Sequence, residues 1–311
     1  MYMEEGGIME GVSICLTLKN RANLFKWTLE SINRQNYPHN FIEICIADGG
    51  STDGLFNLID RYSDEFIFKY AFSDRNKAYI PVNTNCPAAD LNVMIKYMPT
   101  YDTVIKMDPE VIMKDTFLIS EIVNSIHNDP TKMYNSRCHF TERDDWYFDY
   151  DEIINNYWAH YHFAEGGPFS RSIFYFCSGF SRTSFIEMGG IEETFGQGAG
   201  FEDACFREHW RNYFGSYEKE IIAETIHLWH PPQNQSPSLY ELNRRRMEIL
   251  KNKKANSMCV TEDTEGEALL IECNRDWGNP EMLSKIYTIK DSEIIQTDAI
   301  TENAVDIDIP L

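Results

Sequence analysis

Phe41-Ile42-Glu43-Ile44-Cys45-Ile46-Ala47-Asp48-Gly49-Gly50-Ser51-Thr52-Asp53-Gly54 joins a short apolar run to an acidic, glycine-rich turn. The run from Phe41 to Ala47 is too short for a stable helix and rich in branched residues, so it reads as a buried strand. The same junction recurs where Thr103 to Met107 leads into Lys106-Met107-Asp108-Pro109-Glu110. A third acidic station, Gly200-Phe201-Glu202-Asp203, opens a helical pattern over Phe201 to Asn212. Carboxylates set just past strand ends gather at one edge of a sheet, and in open α/β sheets ligands bind at that edge. Acids gathered there suit a divalent cation carrying a phosphorylated ligand.

Strand and helix patterns alternate outward from this stretch. Val12 to Leu18 is a buried strand, and Asn20 to Arg34 carries Leu24, Leu29 and Ile32 at helical spacing before Tyr37-Pro38 ends it. Leu55 to Tyr62 reads as a helix, Phe66 to Phe72 as a strand, and Asp90 to Met98 as a helix. Asp115 to His127 places Phe117, Leu118, Ile122 and Ile126 on one face, with Asp115 in the N-cap position. The repeated order predicts an α/β fold with a mostly parallel sheet covered on both faces.

The chain has 311 residues, 43% of them hydrophobic, which is enough for a sizeable core. Its 28 Lys and Arg against 49 Asp and Glu give a net charge of −21, which opposes general attraction to nucleic acid or anionic lipid. No apolar stretch approaches the ~20 residues of a membrane span, and the acidic opening Met1 to Gly11 lacks the pattern of a secretion signal, so a cytoplasmic location is expected. The eight cysteines are scattered, and Cys15, Cys45 and Cys177 fall inside apolar runs. They read as small buried hydrophobes rather than bridges or zinc ligands.

Beyond residue 130 the character changes. Arg137 to Phe176 is dense in aromatics and acids, including Trp146, Tyr147, Tyr150, Tyr157, Trp158, Tyr161 and His162. Aromatics there either close a core or form an acceptor platform on which flat sugar faces stack. Ser238 to Lys254 is helical in pattern and holds the basic cluster Arg244, Arg245, Arg246, Lys251, Lys253 and Lys254. That cluster is either a solvated face or a peripheral membrane contact. The polar, acidic stretch from Ala255 to Leu311 reads as a packed appendage or an interaction segment, with short apolar runs at Ala268 to Ile271 and Glu293 to Ile295.

The segment Val12 to Pro38, with Thr17, Arg21, Thr28-Leu29-Glu30-Ser31-Ile32 and Gln35-Asn36-Tyr37-Pro38, resembles the start of family 2 glycosyltransferases with a GT-A fold. The resemblance runs on through Ile42 to Gly54 and Asp108-Pro109-Glu110, which is similar to the family's Asp-x-Asp element with Glu last. It continues through Phe180-Ser181-Arg182, Met188 to Glu193 and Gly198 to Asp203, and ends near His227-Leu228-Trp229-His230-Pro231. The implied organisation is an N-terminal extension over 1–10 and a GT-A domain over 11–235. That domain divides into a nucleotide-binding half (11–130) and an acceptor half (131–235), and a C-terminal helix and tail follow over 236–311.

The resemblance implies a role for each station. Asp48 is placed to accept a bond from the nucleotide base, with Thr17 and Arg21 at the same subsite. Gly49 stands where the family often has a second Asp, and the bland alternative for Asp48 and Asp53 is an Asx-type turn. Asp108 is expected at the ribose and the metal region and Glu110 on the cation, which is Mn2+ or Mg2+. A histidine completes such metal sites. His227 is favoured over His230, because residues three apart on an extended segment point to opposite faces. Asp203 is implied as the general base, with Glu202, Trp146 and Trp158 holding the acceptor; otherwise the two acids simply suit a helix N-terminus.

The expected function is inverting, metal-dependent transfer of a sugar from a nucleotide donor, UDP by the family's habit, to a carbohydrate hydroxyl. A GDP- or dTDP-sugar enzyme, a retaining variant of the same fold, and a non-catalytic carbohydrate-binding or assembly subunit are the alternatives.

Overall fold

In this computed structural model the described residues are 10–82, 86–142, 149–160, 176–215, 219–231, 236–272 and 276–297. In chain order the elements begin with β1 (Val12–Leu18), α1 (Ala22–Asn33), β2 (Ile42–Asp48), α2 (Leu55–Arg61), β3 (Ile67–Ser73), α3 (Ala88–Tyr97), β4 (Thr103–Met107) and β5 (Val111–Met113). They continue with α4 (Leu118–Asn128), β6 (Tyr134–Phe140), α5 (Tyr150–Asn156), β7 (Cys177–Ser181), α6 (Arg182–Met188), α7 (Glu202–Phe214) and β8 (Lys219–His227). The last are α8 (Pro237–Leu250), β9 (Met258–Glu262), β10 (Ala268–Glu272), β11 (Leu283–Lys290) and β12 (Glu293–Thr297).

Ten strands form one sheet in the order β12-β11-β3-β2-β1-β4-β7-β6-β8-β5. Its centre, β3-β2-β1-β4, is parallel, and β6 and β8 share that direction while β7, β5 and β11 oppose it. Side chains alternate between faces along each strand. Ile14, Leu16, Ile44, Ile46 and Ile105 therefore meet Phe25 and Leu29 of α1, Ile59 of α2 and Ile122 of α4. Cys15, Cys45, Val104 and Phe180 meet Met94 of α3, Phe185 of α6 and Phe206 and Trp210 of α7 on the other face. The strands are apolar on both sides because both sides are covered.

Several expectations are corrected. Asp115 does not cap α4; Phe117 holds that position, and the Asp115 carboxylate accepts the N–H of Glu224 at 2.8 Å. Of the two alternatives for the stretch after residue 255, its described part packs as an appendage: β11 pairs antiparallel with β3, Tyr287 opposite Tyr70, and widens the main sheet. The apolar positions of β11, Leu283, Ile286 and Ile289, stand isolated among polar residues and so give no strand signal in the sequence. Cys259 is disulfide-bonded, unlike Cys15, Cys45, Cys86, Cys138, Cys177 and Cys205. It lies in the two-stranded β9–β10 sheet, whose mostly exposed residues offer little core, and a covalent tie suits such a piece. Such a bond is uncommon in the reducing cytoplasm that the sequence suggested.

The basic cluster on α8 is largely spent within the molecule. Arg246 is buried and donates to the Thr194 carbonyl and to Gln197 Oε1, Arg244 pairs with Glu241, and Lys251 pairs with Glu248. Lys253 and Lys254, past the end of α8, remain exposed. No helix among the described residues is long and apolar enough to cross a membrane.

Candidate active site

The first acidic station locks two loops into one rim. Asn20 takes a positive φ of 52°; its N–H donates to Ser51 Oγ at 2.8 Å, and its Oδ1 accepts from Thr52 N–H at 2.8 Å. Asp53 Oδ2 accepts from Ala22 N–H at 2.8 Å and so satisfies the first turn of α1. Asp48, at the end of β2, accepts from the N–H groups of Gly50 and Ser51, from Ser51 Oγ at 2.7 Å and from the Tyr70 hydroxyl at 2.6 Å. A carboxylate has about four lone-pair sites, so these partners occupy it. Asp48 makes the Asx-type turn, whereas Asp53 reaches across to the start of α1, and Tyr70 is a partner the sequence did not reveal.

Arg21, at the N-cap of α1, reaches toward His230. Its Nη2 lies 3.5 Å from His230 Nδ1, so it faces the second station, whereas Thr17 stays at the end of β1 opposite Ala47. The polar residues of α1 explain the Thr28, Ser31 and Gln35 pattern. Thr28 Oγ1 donates to the Pro109 carbonyl at 2.8 Å, Met113 N–H donates to Ser31 Oγ at 3.1 Å, and Ile119 N–H donates to Gln35 Oε1 at 3.2 Å. All three side chains are buried. Together they pin residues 109–119 and thereby set Glu110.

Glu110, His227 and His230 converge, each offering a ligand atom within 4.8 Å of the others'. Glu110 Oε1 is 2.9 Å from His230 Nε2 and 3.9 Å from His227 Nε2. Both histidines, not one, lie near Glu110: regular β8 ends at His227, and Leu228 N–H still donates to the Glu110 carbonyl beyond it, so strict strand alternation does not separate the two rings. Desolvation pushes the Glu110 carboxyl up, but the His230 hydrogen bond and the charges of His227, His230 and Arg21 outweigh it and hold it below the usual range. Burial lowers His227, which packs between Phe140 and Phe176, while the bond to Glu110 raises His230.

Glu110 Oε2 is buried without a protein partner. An orphaned carboxylate oxygen beside two imidazoles fits a divalent cation, and nitrogen ligands suit Mn2+ better than an all-oxygen cage would. Asp108 stands outside this group. Its Oδ1 is 2.7 Å from Lys106 Nζ, and Lys106 is only 7% exposed.

Glu202 and Asp203 form the first turn of α7 behind two residues of positive φ, Gly200 at 66° and Phe201 at 71°. The left-handed conformation is costly for phenylalanine, and such strain persists where the surroundings enforce it. Here Phe201 packs on Tyr240, and Asn243 Nδ2 donates to the Gly200 carbonyl at 2.8 Å. Burial first and the neighbouring Asp203 second push Glu202 up to about 7. Asp203 is also raised, by burial, with Lys106 opposing and Asp108 adding to the shift. Lys106 thus sits among three carboxylates, and a lone lysine inside the apolar run Thr103 to Met107 was the signal that sequence reading passed over.

Of the expected acceptor contacts, Trp158 is 69% exposed, its Nε1 donating to the Asn155 carbonyl, and Trp146 lies outside the described residues. The structure therefore brings Glu110, His227, His230 and Arg21 into one group and Asp108, Lys106, Glu202 and Asp203 into a neighbouring one.

The chain is similar over 57 residues, at 39% identity, to the abequosyltransferase RfbV of Salmonella typhimurium, and the matched stretch is 17% of that protein's length. Its fold is similar to that of S. aureus TarS 1-349, solved in complex with UDP-GlcNAc. The TM-score is 0.54 at 12% identity, over 77% of this chain and 66% of that one. The same fragment in complex with UDP gives a TM-score of 0.51 at 12% identity, over 79% of this chain and 66% of that one. The chain thus spans less than two thirds of each. The likeness in fold is that of the GT-A architecture, helices on both faces of a mostly parallel sheet. Residues 13–189 match the family model described as glycosyl transferase family 2, and the chain belongs to that family.

Proposed function

We propose that the protein is an inverting glycosyltransferase that moves a sugar from a nucleotide sugar to a carbohydrate hydroxyl. The observation that carries this is the convergence of Glu110, His227 and His230, with Asp108 beside them acting electrostatically both on His227 and on the buried Asp203 at the start of α7. UDP is the favoured nucleotide, supported by family membership and by a fold neighbour held with UDP-GlcNAc.

Asp203 takes the proton from the acceptor hydroxyl as that oxygen attacks the anomeric carbon. The bond from that carbon to the diphosphate breaks on the opposite side, so configuration inverts and a nucleoside diphosphate leaves. Glu202, poised near neutrality, holds an acceptor hydroxyl either as donor or as acceptor of a hydrogen bond. Lys106 keeps Asp108 in place beside the sugar. A divalent cation, Mn2+ or Mg2+, held by Glu110, His227 and His230 would supply Lewis-acid stabilisation to the charge gathering on the diphosphate.

The reading is tested by supplying a panel of nucleotide sugars with candidate glycan acceptors and determining the anomeric configuration of the product by NMR. A β-linked product from an α-linked donor is expected. Retention of configuration would remove Asp203 from its assigned role.

A further inference from the structure

Buried polar groups in folded proteins almost always have partners, so those that lack them call for a reason. Asn135 and Ser178 are both 0% exposed, yet Asn135 Oδ1, Asn135 Nδ2 and Ser178 Oγ have no protein partner. They are not scattered. Ser178 of β7 lies opposite Lys106 of β4, and Asn135 of β6 lies opposite Ser178. Directly opposed residues project to the same face about 5 Å apart, so the three form a polar row across the sheet.

That row lies on the face covered by α7. Phe180, two residues along β7 and hence on the same side as Ser178, packs against Phe206 and Trp210 of α7 at 5.9 and 5.7 Å. Val104, two residues before Lys106, belongs to the same cluster. The first turn of α7 carries Glu202, whose Oε2 is also buried without a partner. Donor and acceptor capacity in this set is balanced: an amide N–H2, an amide oxygen, a hydroxyl and a carboxylate oxygen. Internal water, which typically bonds about three otherwise unsatisfied groups, matches such a set.

We propose, on the basis of the transfer reaction above, that Asn135 and Ser178 are positioning residues. They hold ordered water between the sheet and α7, and this water steadies the Lys106 ammonium and Glu202 so that Asp108 and Asp203 keep their places during transfer. Without such water an apolar pair of similar shape would be neutral or stabilising at these positions. Retaining the polar pair is understandable if it serves the site.

The test combines Asn135→Leu and Ser178→Ala with a high-resolution crystal structure of the wild-type chain. The expected result is a folded protein in each variant, with kcat lowered about 10- to 100-fold, the range for groups that orient catalytic ligands, and donor KM little changed. Density should show water bonded to both Asn135 and Ser178. A variant that gains stability at full kcat overturns the proposal, as does a wild-type structure with no water on these side chains. Should Asn135→Leu fail to fold, the smaller Ser178→Ala change decides by the same readings. A wild-type chain that turns over no donor would defeat the proposed function separately, and the water site would then stand or fall on the density.

Discussion

Replacing Asp203 by Asn keeps the size of the side chain and removes its charge and basicity. General-base assistance contributes about 10²- to 10⁴-fold, so kcat should fall by that factor, equivalent to roughly 3–5 kcal/mol of barrier. Stability should move little. Asp203 shares the first turn of α7 with Glu202, and its charge is the second cause, after burial, of the upward shift of Glu202. Neutralising it relieves that repulsion, while the lost attraction to the helix N-terminus is worth about 0.3–1 kcal/mol in the opposite direction. Glu202 should accordingly titrate lower in the variant, though still above an ordinary carboxyl, since burial remains. The assay is nucleoside diphosphate release at saturating donor and acceptor, beside thermal melting and a kcat–pH profile. A variant with wild-type kcat would refute the assignment, and one that loses activity only because it unfolds would show the acid to be structural.

Three further outcomes follow from the geometry. His227→Ala and His230→Ala should each weaken Mn2+ binding by about 10-fold or more, at least the scale seen on removing outer partners of metal ligands; calorimetric titration with Mn2+ that leaves either variant at wild-type affinity would remove that residue from the site. Thr28→Val strips the Pro109 carbonyl of its donor, costing about 1–3 kcal/mol in urea denaturation and loosening the turn that carries Glu110; unchanged stability would mean that the bond contributes nothing. Burial and Asp203 push Glu202 up to about 7 from its ordinary 4.5, so its stabilising contribution is full below about 4.5 and is lost as pH rises through 7. Glu202→Gln should therefore melt progressively higher than wild type as pH climbs across that window, and a constant difference would show the acid to be unperturbed.

The strands and helices that frame the site were legible because they obey simple periodicity. β4 runs Thr103–Met107 as the branched apolar run indicated, and α1, α2 and β3 fall close to their expected bounds. Where a turn follows a strand the positions of candidate acids were legible too, since Asp108 and Glu110 do lie just past the end of β4. What escaped reading depends on contacts between distant segments. Tyr70 meets Asp48 only because β3 lies beside β2, and Arg21 meets His230 across 209 positions. The paired histidines escaped because the strand rule was carried past the end of β8. Lys106 was visible as an odd residue in an apolar run, but its meaning lay in the approach of α7 to the sheet.

The most direct measurement is release of nucleoside diphosphate from UDP-sugars by the wild-type chain with Mn2+, with Mg2+ and with EDTA. Glycosyl transfer supported by Glu110, His227 and His230 predicts turnover of at least one donor that stops in EDTA and returns when Mn2+ is restored. Turnover that is indifferent to EDTA would contradict the metal site, and UDP binding without release in the presence of any glycan acceptor would contradict catalysis itself.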